Sequence, residues 1–288
     1  MKATTALRHG ALLVWATITL FPIFWMVSTA FKTPTEWNAT PPVWLPSDPS
    51  LTNFRALFAP DSVPEDFRSA VGSTVGVLPS IVDSLVISIG ATLLALLVGG
   101  LAAYALSRFS SARGGRVTAF NVLTVRMLPA VVVLVPLLIA FSELRLLDTY
   151  RGVILVEAAI VVAFVVWLMR SFFDDIPKSL EDAALLDGTT QAGALGRISL
   201  PLAKAGIAVT ALFIFILVWT EFIVGLTLTL NNVVPLPVQL SKYQSASGGQ
   251  LYGIQAALAT IAVIPPTIFG LAIQRYLVTG LTFGAIKR

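Results

Sequence analysis

Side chains that catalysis or metal binding would need are scarce in this chain of 288 residues. It contains no cysteine and one histidine, His9, so it can build neither a thiolate or histidine metal site nor an ordinary Ser-His dyad. A G-x-x-x-x-G-K-[ST] loop, which would cradle the phosphates of a nucleotide, is also absent from the sequence. We therefore predict that the chain is not an enzyme, holds no metal or cofactor, and leaves any binding of ATP to another subunit.

Three charged residues stand out because they lie inside long apolar stretches. Arg126, Glu157 and Glu221 each have apolar segments on both sides. A charge within a lipid bilayer is costly and usually faces a cavity or a partner, so these residues are candidates for binding. Two interpretations stay open. Either the charges line a path for a solute, or Arg126 pairs with a carboxylate and holds helices together.

The elements that would carry these residues are membrane-spanning helices. Apolar residues make up 56% of the chain and charged residues 12%, about half of the usual quarter for soluble proteins, and the mean hydropathy is +0.86. A bilayer core about 30 Å thick needs roughly 20 apolar helical residues to cross it. We predict an all-α, polytopic membrane protein with six spans, at about 10–31, 81–106, 118–141, 152–173, 204–226 and 256–278.

The distribution of Lys and Arg predicts the orientation of the spans. With the N-terminus inside, the inner segments hold twelve of the 19 Lys and Arg and the outer segments hold six, as the positive-inside rule requires. Both termini are then cytoplasmic, and the first span is a retained helix and not a cleaved signal. The chain is expected to form one transmembrane domain over 1–288, with a long inner segment at 174–203 and long outer segments at 32–80 and 227–255.

The inner segment 174–203 has the pattern of a short amphipathic helix. Pro177 suits the first position of a helix, and Glu181 with Asp182 suits its positive N-terminal end. Gly188 tolerates the left-handed conformation that ends a helix, and a second short helix is predicted over 191–197. One face of the first helix would carry Leu180, Ala183, Ala184 and Asp187. Its small alanines would let another protein surface approach closely.

The letters of this segment resemble a known family motif. E-D-A-A-L-L-D-G, then nine residues, then I-S-L-P is similar to the EAA loop of ABC importer permeases. In that family the loop docks as a coupling helix into a cleft of the ATP-binding subunit. The resemblance implies a coupling role for Glu181, Asp182, Ala183, Ala184, Asp187, Gly188, Ile198, Leu200 and Pro201.

The resemblance covers nearly the whole chain and points to carbohydrate-type permeases similar to the shorter subunit of the maltose importer. It is carried by F-K-T-P-T-E-W after the first span, A-A-Y-A-L-S-R (102–108), R-M-L-P (126–129), L-L-D-T-Y-R-G (146–152) and the tail 274–288. It implies a multi-pass protein of a bacterial or archaeal cytoplasmic membrane. The implied partners are a second, related permease subunit, two ATPase copies that bind ATP and Mg²⁺, and an extracytoplasmic binding protein that delivers a sugar; no nucleic acid is expected.

The resemblance also gives the charged residues a role. We expect Arg126, Glu157, Trp219 and Glu221 to line the sugar path, since carboxylates accept hydrogen bonds from hydroxyls and a guanidinium donates them. The outer segment 227–255 is similar to the loop that enters the binding protein, although Gly, Ser and Asn also suit a plain solvated loop. The expected tip consists of Lys242, Tyr243, Gln244, Gly248, Gly249 and Gln250.

The sequence departs from the family pattern at several places, and rival functions stay open, of which a membrane-embedded enzyme is the least favoured. Asp83-Ser84 opens the second span where the family often has Asn-Ser, and Thr220 replaces the asparagine of Trp-Asn-Glu-Phe. One rival is an ABC importer of another solute, such as glycerol phosphate held by Arg126. Another is a secondary carrier that moves protons through Glu157 or Glu221.

Overall fold

The computed structural model describes residues 2–67, 76–110, 112–124, 130–243 and 250–285. Two compact units make up the chain: Met1–Ile81 with Val238–Ile264, and Val82–Pro237 with Pro265–Arg288. The helices are α1 Lys2–Ala30, α2 Thr52–Phe58, α3 Leu78–Arg108, α4 Ala112–Thr124, α5 Ala130–Glu143, α6 Tyr150–Asp174, α7 Lys178–Leu186, α8 Gln191–Ala194, α9 Leu200–Leu202, α10 Lys204–Trp219, α11 Ile223–Leu228, α12 Leu236–Ser241, α13 Tyr252–Ala262 and α14 Ile264–Ala285. The fold class is helical, as predicted.

Helices that could cross a bilayer occur at most of the predicted positions. Within the described ranges, four are long and apolar enough: Arg8–Ala30, Leu78–Arg108, Tyr150–Asp174 and Tyr252–Gln274. The bent pair Gln191–Leu202 and Lys204–Trp219, with an angle of 75° between its halves, would make a fifth. The predicted span 118–141 includes residues 125–129, which lie outside the described residues. Six spans therefore stay a prediction.

The helix that starts the predicted fifth span ends earlier than the apolar pattern extends. α10 ends at Trp219, and a new helix, α11, begins at Ile223. The Glu221 carboxylate accepts the backbone N–H groups of Ile223 and Val224 at 3.0 and 2.8 Å. A side chain that caps a new helix in this way competes with continuation of the old one. Hydropathy alone does not report this break.

In the first unit, polar side chains hold the segment that follows α1. The Asn53 amide donates to the carbonyls of Ala30 and Lys32 at 2.9 and 2.8 Å, and the Trp37 indole N–H donates to the Lys32 carbonyl at 3.1 Å. These bonds satisfy carbonyls that the end of a helix leaves without partners. Gly253 of α13 packs against the Trp37 ring, where a Cβ would collide. The beginning of the predicted outer segment 32–80 is thus ordered against α1 and α13.

Apolar side chains cover the surface of α1. Between Leu12 and Phe24 its large hydrophobic residues are exposed, including Trp15 at 71% exposure. Such a continuous apolar surface is unfavourable in water and favourable in lipid or against another apolar protein surface. The helix therefore has the surface of a membrane span.

In the second unit, α3 and α6 run in the same direction. Near their starts the Tyr150 hydroxyl donates to Asp83 at 2.6 Å, and near their ends the Ser107 hydroxyl donates to Asp174 at 2.5 Å. Glycine permits close approach between the two helices, because a Cβ at Gly99 would lie 2.8 Å from the Val165 side chain. The packed core around this pair includes Ile87, Ala91, Ala95, Ala103, Val153, Val161, Met169 and Phe173.

α10 runs antiparallel to α6 in the same unit. Gly206, near the start of α10, packs against the Phe172 ring near the end of α6. Trp219, at the end of α10, lines a cavity together with Glu157 from the first half of α6. Ile214 and Val218 of α10 are buried in the same core. The helices α3, α6 and α10 therefore pack around one core. The ends of α3 and α6 lie on the same side as the start of α10, and their starts lie on the same side as its end.

Replacing Gly99 by valine should force α3 and α6 apart, since the new side chain would collide with Val165. We expect a loss of about 1–3 kcal/mol of stability from overpacking, measured as a lower melting temperature of the purified protein in detergent. Gly100→Val is the matched control, because no atom lies within 4 Å of a Cβ there. Equal melting temperatures for the two variants would contradict this packing.

Candidate functional site

The segment 174–203 folds as a short helix that ends at a glycine turn. α7 begins directly after Pro177, whose ψ of 126° keeps it just outside the helix. Gly188 has a φ of 87°, a left-handed conformation that favours glycine. The N–H groups of Gly188 and Thr189 donate to carbonyls of the last helical turn at 3.1 and 3.0 Å, which is a Schellman arrangement. The predicted helix end at Gly188 is confirmed.

The predicted second short helix is extended by a π-helical turn. α8 (Gln191–Ala194) begins with the Thr190 hydroxyl as its N-terminal cap, which accepts the Gly193 N–H. The π-helical turn Leu195–Ser199 follows, and α9 (Leu200–Leu202) then leads towards α10. A π-helical turn inserts an extra residue into a helix and rotates the side chains that follow it. Here the turn ends at Ser199, which is fully buried.

The predicted coupling residues divide between two sides of this segment. The exposed members are Asp182, Ala183, Asp187, Gly188, Leu200 and Pro201, and the half-buried members are Ala184 and Ile198. Two leucines of α7 that the predicted set did not include are also exposed, Leu186 at 90% and Leu180 at 45%. Glu181, in contrast, is only 4% exposed. The helix therefore presents leucine and alanine outward while its first glutamate points into the protein.

Glu181 is the centre of a buried polar group that we call the anchor cluster: Glu181, Tyr104, Arg108 and Ser199. Its carboxylate accepts the Tyr104 hydroxyl at 2.9 Å, the Arg108 Nε at 2.8 Å and the Ser199 hydroxyl. Burial by itself would raise the pKa of the Glu181 carboxyl. The hydrogen bonds from Ser199, Arg108 and Tyr104 outweigh burial and hold this pKa below its usual value. The carboxylate is thus stabilised in its charged form.

Arg108 links the anchor cluster to the end of α6. Its Nη1 donates to the Phe173 carbonyl at 3.0 Å and its Nη2 to the Ile176 carbonyl at 3.3 Å. These carbonyls belong to the last turn of α6 and the residues after it, where a helix leaves acceptors without internal partners. One guanidinium therefore joins the ends of α3 and α6 to the first turn of α7.

A sequence signal for the anchor cluster lies outside the segment 174–203. Tyr104 and Arg108 lie four residues apart, so they share one face at the end of a helix. Both belong to the A-A-Y-A-L-S-R stretch, and a buried carboxylate is what such a donor pair requires. The packing of α7 against α3 decides which carboxylate accepts hydrogen bonds from this donor pair.

Three of the four predicted path residues come together in space. Glu157, Trp219 and Glu221 line one cavity of about 10 Å³, which is room for about one water molecule. The remaining lining consists of Ser84, Ile87, Ser88, Val153, Val218, Gly225, Pro235 and Pro237. Arg126 lies outside the described residues.

In this conformation Trp219 and Glu221 are engaged within the protein. The Trp219 indole is 4% exposed and stacks on the Phe215 ring, with centroids 5.7 Å apart and 20° between the planes. The Glu221 carboxylate caps α11 through the Ile223 and Val224 N–H groups. An aromatic face and a carboxylate beside a cavity are the groups that a sugar site would use, yet the present volume does not admit one.

Asp148 is a structural residue that the sequence analysis missed. Its carboxylate accepts four successive backbone N–H groups, from residues 230–233, at 2.9, 3.1, 2.9 and 3.1 Å. Burial alone would raise the pKa of Asp148, but these four donors outweigh it and lower the pKa. Asp148 also has a φ of 55°, which is unusual for a residue other than glycine. The D in L-L-D-T-Y-R-G was its only sequence signal.

The predicted binding-protein loop is described at its two ends. Gln244, Gly248 and Gly249 lie outside the described residues. Lys242 and Gln250 are exposed, whereas Tyr243 is 3% exposed and its carbonyl accepts Gln255 Nε2 at 3.1 Å. Burial raises the pKa of the Tyr243 hydroxyl. Tyr243 is therefore a buried residue and does not belong to an exposed loop tip.

Comparison with known proteins places this geometry in a family. A family model described as "Binding-protein-dependent transport system inner membrane component" matches residues 95–282. The probable ABC transporter permease protein y4oR of Sinorhizobium fredii is 33% identical over 95% of this chain and 92% of that protein. The trehalose transport system permease protein SugB of Mycobacterium tuberculosis is 30% identical over 93% of this chain and 92% of that one.

A solved structure has the same fold. A chain in the crystal structure of a bacterial ABC transporter involved in the import of the acidic polysaccharide alginate superposes with a TM-score of 0.73, at 22% identity, over 96% of both chains. The family model and the two relatives confirm the expected resemblance to ABC importer permeases. The protein belongs to the inner membrane component family of binding-protein-dependent transport systems, as a multi-pass permease subunit of the cytoplasmic membrane and not an enzyme.

Proposed function

We propose that this chain is the transmembrane subunit of an ATP-driven, binding-protein-dependent carbohydrate importer. It would form half of the translocation path beside a second, related permease subunit, with two ATPase copies below and a binding protein outside. The carbohydrate class is supported by relatives such as the trehalose permease SugB. The observation that carries the coupling role is the exposed leucine and alanine face of α7 above a buried anchor.

The direction of the helices supports six crossings with both termini in the cytoplasm. If α3 and α6 both span the membrane, their parallel directions require that residues 109–149 cross back between them. α4 and α5 lie in that stretch. The antiparallel α10 then adds a further crossing. This arrangement puts the anchor cluster on the cytoplasmic side and Asp148 on the outer side, in agreement with the distribution of Lys and Arg.

Coupling to the ATPase would use the exposed side of α7. Fully burying a leucine side chain in an interface contributes about 1.5–3 kcal/mol, and Leu186 is 90% exposed. Ala183 leaves room for close approach, and Gly188 ends the helix so that it can enter a cleft. The coupling set would then comprise these residues together with Asp182, Ala184, Asp187, Ile198, Leu200 and Pro201, while Glu181 holds the helix from behind.

Purification from detergent tests both the function and the coupling surface. The wild-type chain should bring down an ATPase and a second permease subunit, and uptake in proteoliposomes should need ATP and a binding protein. Leu186→Asp should weaken ATPase recovery by roughly tenfold or more, as loss of a buried leucine predicts, while the second permease subunit is kept.

Leu144→Asp is the matched control for that experiment. Leu144 is also an exposed leucine, at 65%, but it lies beyond α5 at the opposite end of the unit. Its variant should recover the ATPase normally. Recovery of the wild-type chain alone, with uptake driven by a proton gradient, would overturn the importer and favour the secondary carrier.

The anchor cluster should set the position of α7. Glu181→Gln leaves the Arg108 charge without its buried partner, which costs about 3–5 kcal/mol when such a pair is broken. We expect a lower melting temperature and slower ATP-driven uptake, with Glu143→Gln, at an exposed glutamate that ends α5, close to wild type.

The same variant has an expected pH dependence. The pKa of Glu181 is lower in the folded protein than in the unfolded chain. Its contribution to stability is therefore complete above the unfolded value of about 4.3 and is lost as the pH falls through the folded value. The difference in melting temperature between wild type and Glu181→Gln should shrink in acid. A constant difference from neutral pH to below about pH 4 would contradict the assignment.

The sugar path would be lined by Glu157, Trp219 and Glu221, with Arg126 as a further candidate. Because the cavity admits only about one water molecule, sugar contact requires a different, open conformation. Trp219→Ala and Glu221→Gln should each reduce uptake severalfold or alter which sugar is taken up, while assembly is preserved. Thr220→Ala, at an exposed position between them, is the control. Unchanged uptake and substrate choice in both variants would remove these residues from the path.

The binding protein would meet the loop between Lys242 and Gln250. Both residues are exposed, so the intervening chain, with Gln244, Gly248 and Gly249, starts and ends on the surface. Tyr243 and Gln255 bond at its base. We infer that Tyr243 supports this loop from below, while Lys242 and Gln250 face the binding protein.

A further inference from the structure

The short segment between α11 and α12 covers the cavity that holds the proposed path residues. Pro235 from this segment and Pro237 from the first turn of α12 line the cavity together with Glu157, Trp219 and Glu221. We call residues 230–236 the strap. Helices supply the rest of the cavity wall apart from Glu221 itself, so movement of the strap is a direct way to open this cavity.

Side chains hold the strap along its whole length. Asp148, two residues before α6, accepts the N–H groups of residues 230–233. Asp83, near the start of α3, accepts the Val234 N–H at 2.8 Å, and the Ser84 hydroxyl accepts the Leu236 N–H at 2.7 Å. Pro235 has no N–H to donate. Every backbone donor of the strap is therefore bound by one of three side chains.

The two attachments lie on different parts of the unit, since Asp83 and Ser84 belong to α3 and Asp148 lies in the turn before α6. Asp83 is also bonded to the Tyr150 hydroxyl at 2.6 Å, which ties the start of α3 to the start of α6. The Asp148 N–H donates to the Leu228 carbonyl at 2.8 Å. Asp148 is therefore hydrogen-bonded both to the end of α11 and to the strap. Since hydrogen bonds to a carboxylate are stronger than those between neutral groups, the strap is fastened firmly while α3, α6 and α11 keep this arrangement.

We propose that Asp148, Asp83 and Ser84 are positioning residues that fasten the strap over the sugar path and so keep the path closed until transport opens it. This inference rests on the proposed importer function. In that cycle, ATP binding closes the ATPase pair as the path opens outward. A loosened strap favours the open path, so ATP hydrolysis escapes its dependence on the binding protein.

The test is ATPase activity of the assembled importer, with and without its binding protein. Asp148→Asn cannot accept four N–H groups as the carboxylate does. We expect hydrolysis without the binding protein to rise roughly tenfold, as loss of hydrogen bonds to a charged group predicts, and the stimulation by binding protein to fall. Glu143→Gln, an exposed carboxylate on the same side of the chain, should behave as wild type.

A reversible variant separates fastening from a general loss of stability. The chain has no cysteine, so Asp148→Cys with Asn232→Cys introduces the only pair that can form a disulfide within it. Oxidation should refasten the strap, suppress hydrolysis without binding protein and block uptake. Reduction should restore high hydrolysis. Each single cysteine variant should hydrolyse ATP at the same rate with and without the oxidant.

The outcomes distinguish the two proposals. If wild type has no ATP-dependent uptake, the importer function itself fails. If wild type transports normally but Asp148→Asn keeps wild-type hydrolysis without binding protein, or the oxidised pair behaves like the reduced one, the strap inference fails while the importer stands.

Discussion

One end of the second unit depends on the buried, hydrogen-bonded ion pair between the Glu181 carboxylate and Arg108. Moving a carboxylate and a guanidinium out of water is costly, and the cost is offset only when both are fully hydrogen-bonded. Here the carboxylate accepts three side-chain donors, and Arg108 satisfies two carbonyls at the end of α6. α7 can therefore leave its apolar side exposed, since its opposite side is held by this cluster.

Side-chain hydrogen bonds hold α3 and α6 at both of their ends. α3 bears Asp83 near its start and Arg108 at its end, and α6 follows directly after Asp148 and ends beside the anchor cluster. α6 has 25 residues, so the two ends lie about 37 Å apart. Close packing at Gly99 makes this pair stiff. In the proposed importer, force applied to α7 would reach the strap through the displacement of stiff helices.

The sequence predicted those helices and helix ends that are specified by residues close together in the chain. The helix over 178–186 and its end at Gly188 follow from a proline, early acidic residues and a glycine that takes a positive φ. Of the six spans that the apolar stretches predicted, four coincide with described helices that are long enough to cross a bilayer. The pattern did not report the end of α10 at Trp219, because the cap that starts α11 depends on where the Glu221 side chain folds back. Nor did it report that Tyr243 is buried.

By itself the sequence determined that lipid is the solvent, that the chain is helical, and that the segment 174–203 resembles the EAA loop of ABC importer permeases, because composition and spacing are read along the chain. Only the tertiary structure decided which acidic residues hold it together. Glu181 meets Tyr104 across 77 residues, and Asp148 meets Leu230 across 82. A periodic pattern identifies one face of a helix, but the donors that meet a carboxylate come from elements that are distant in sequence and close only after packing.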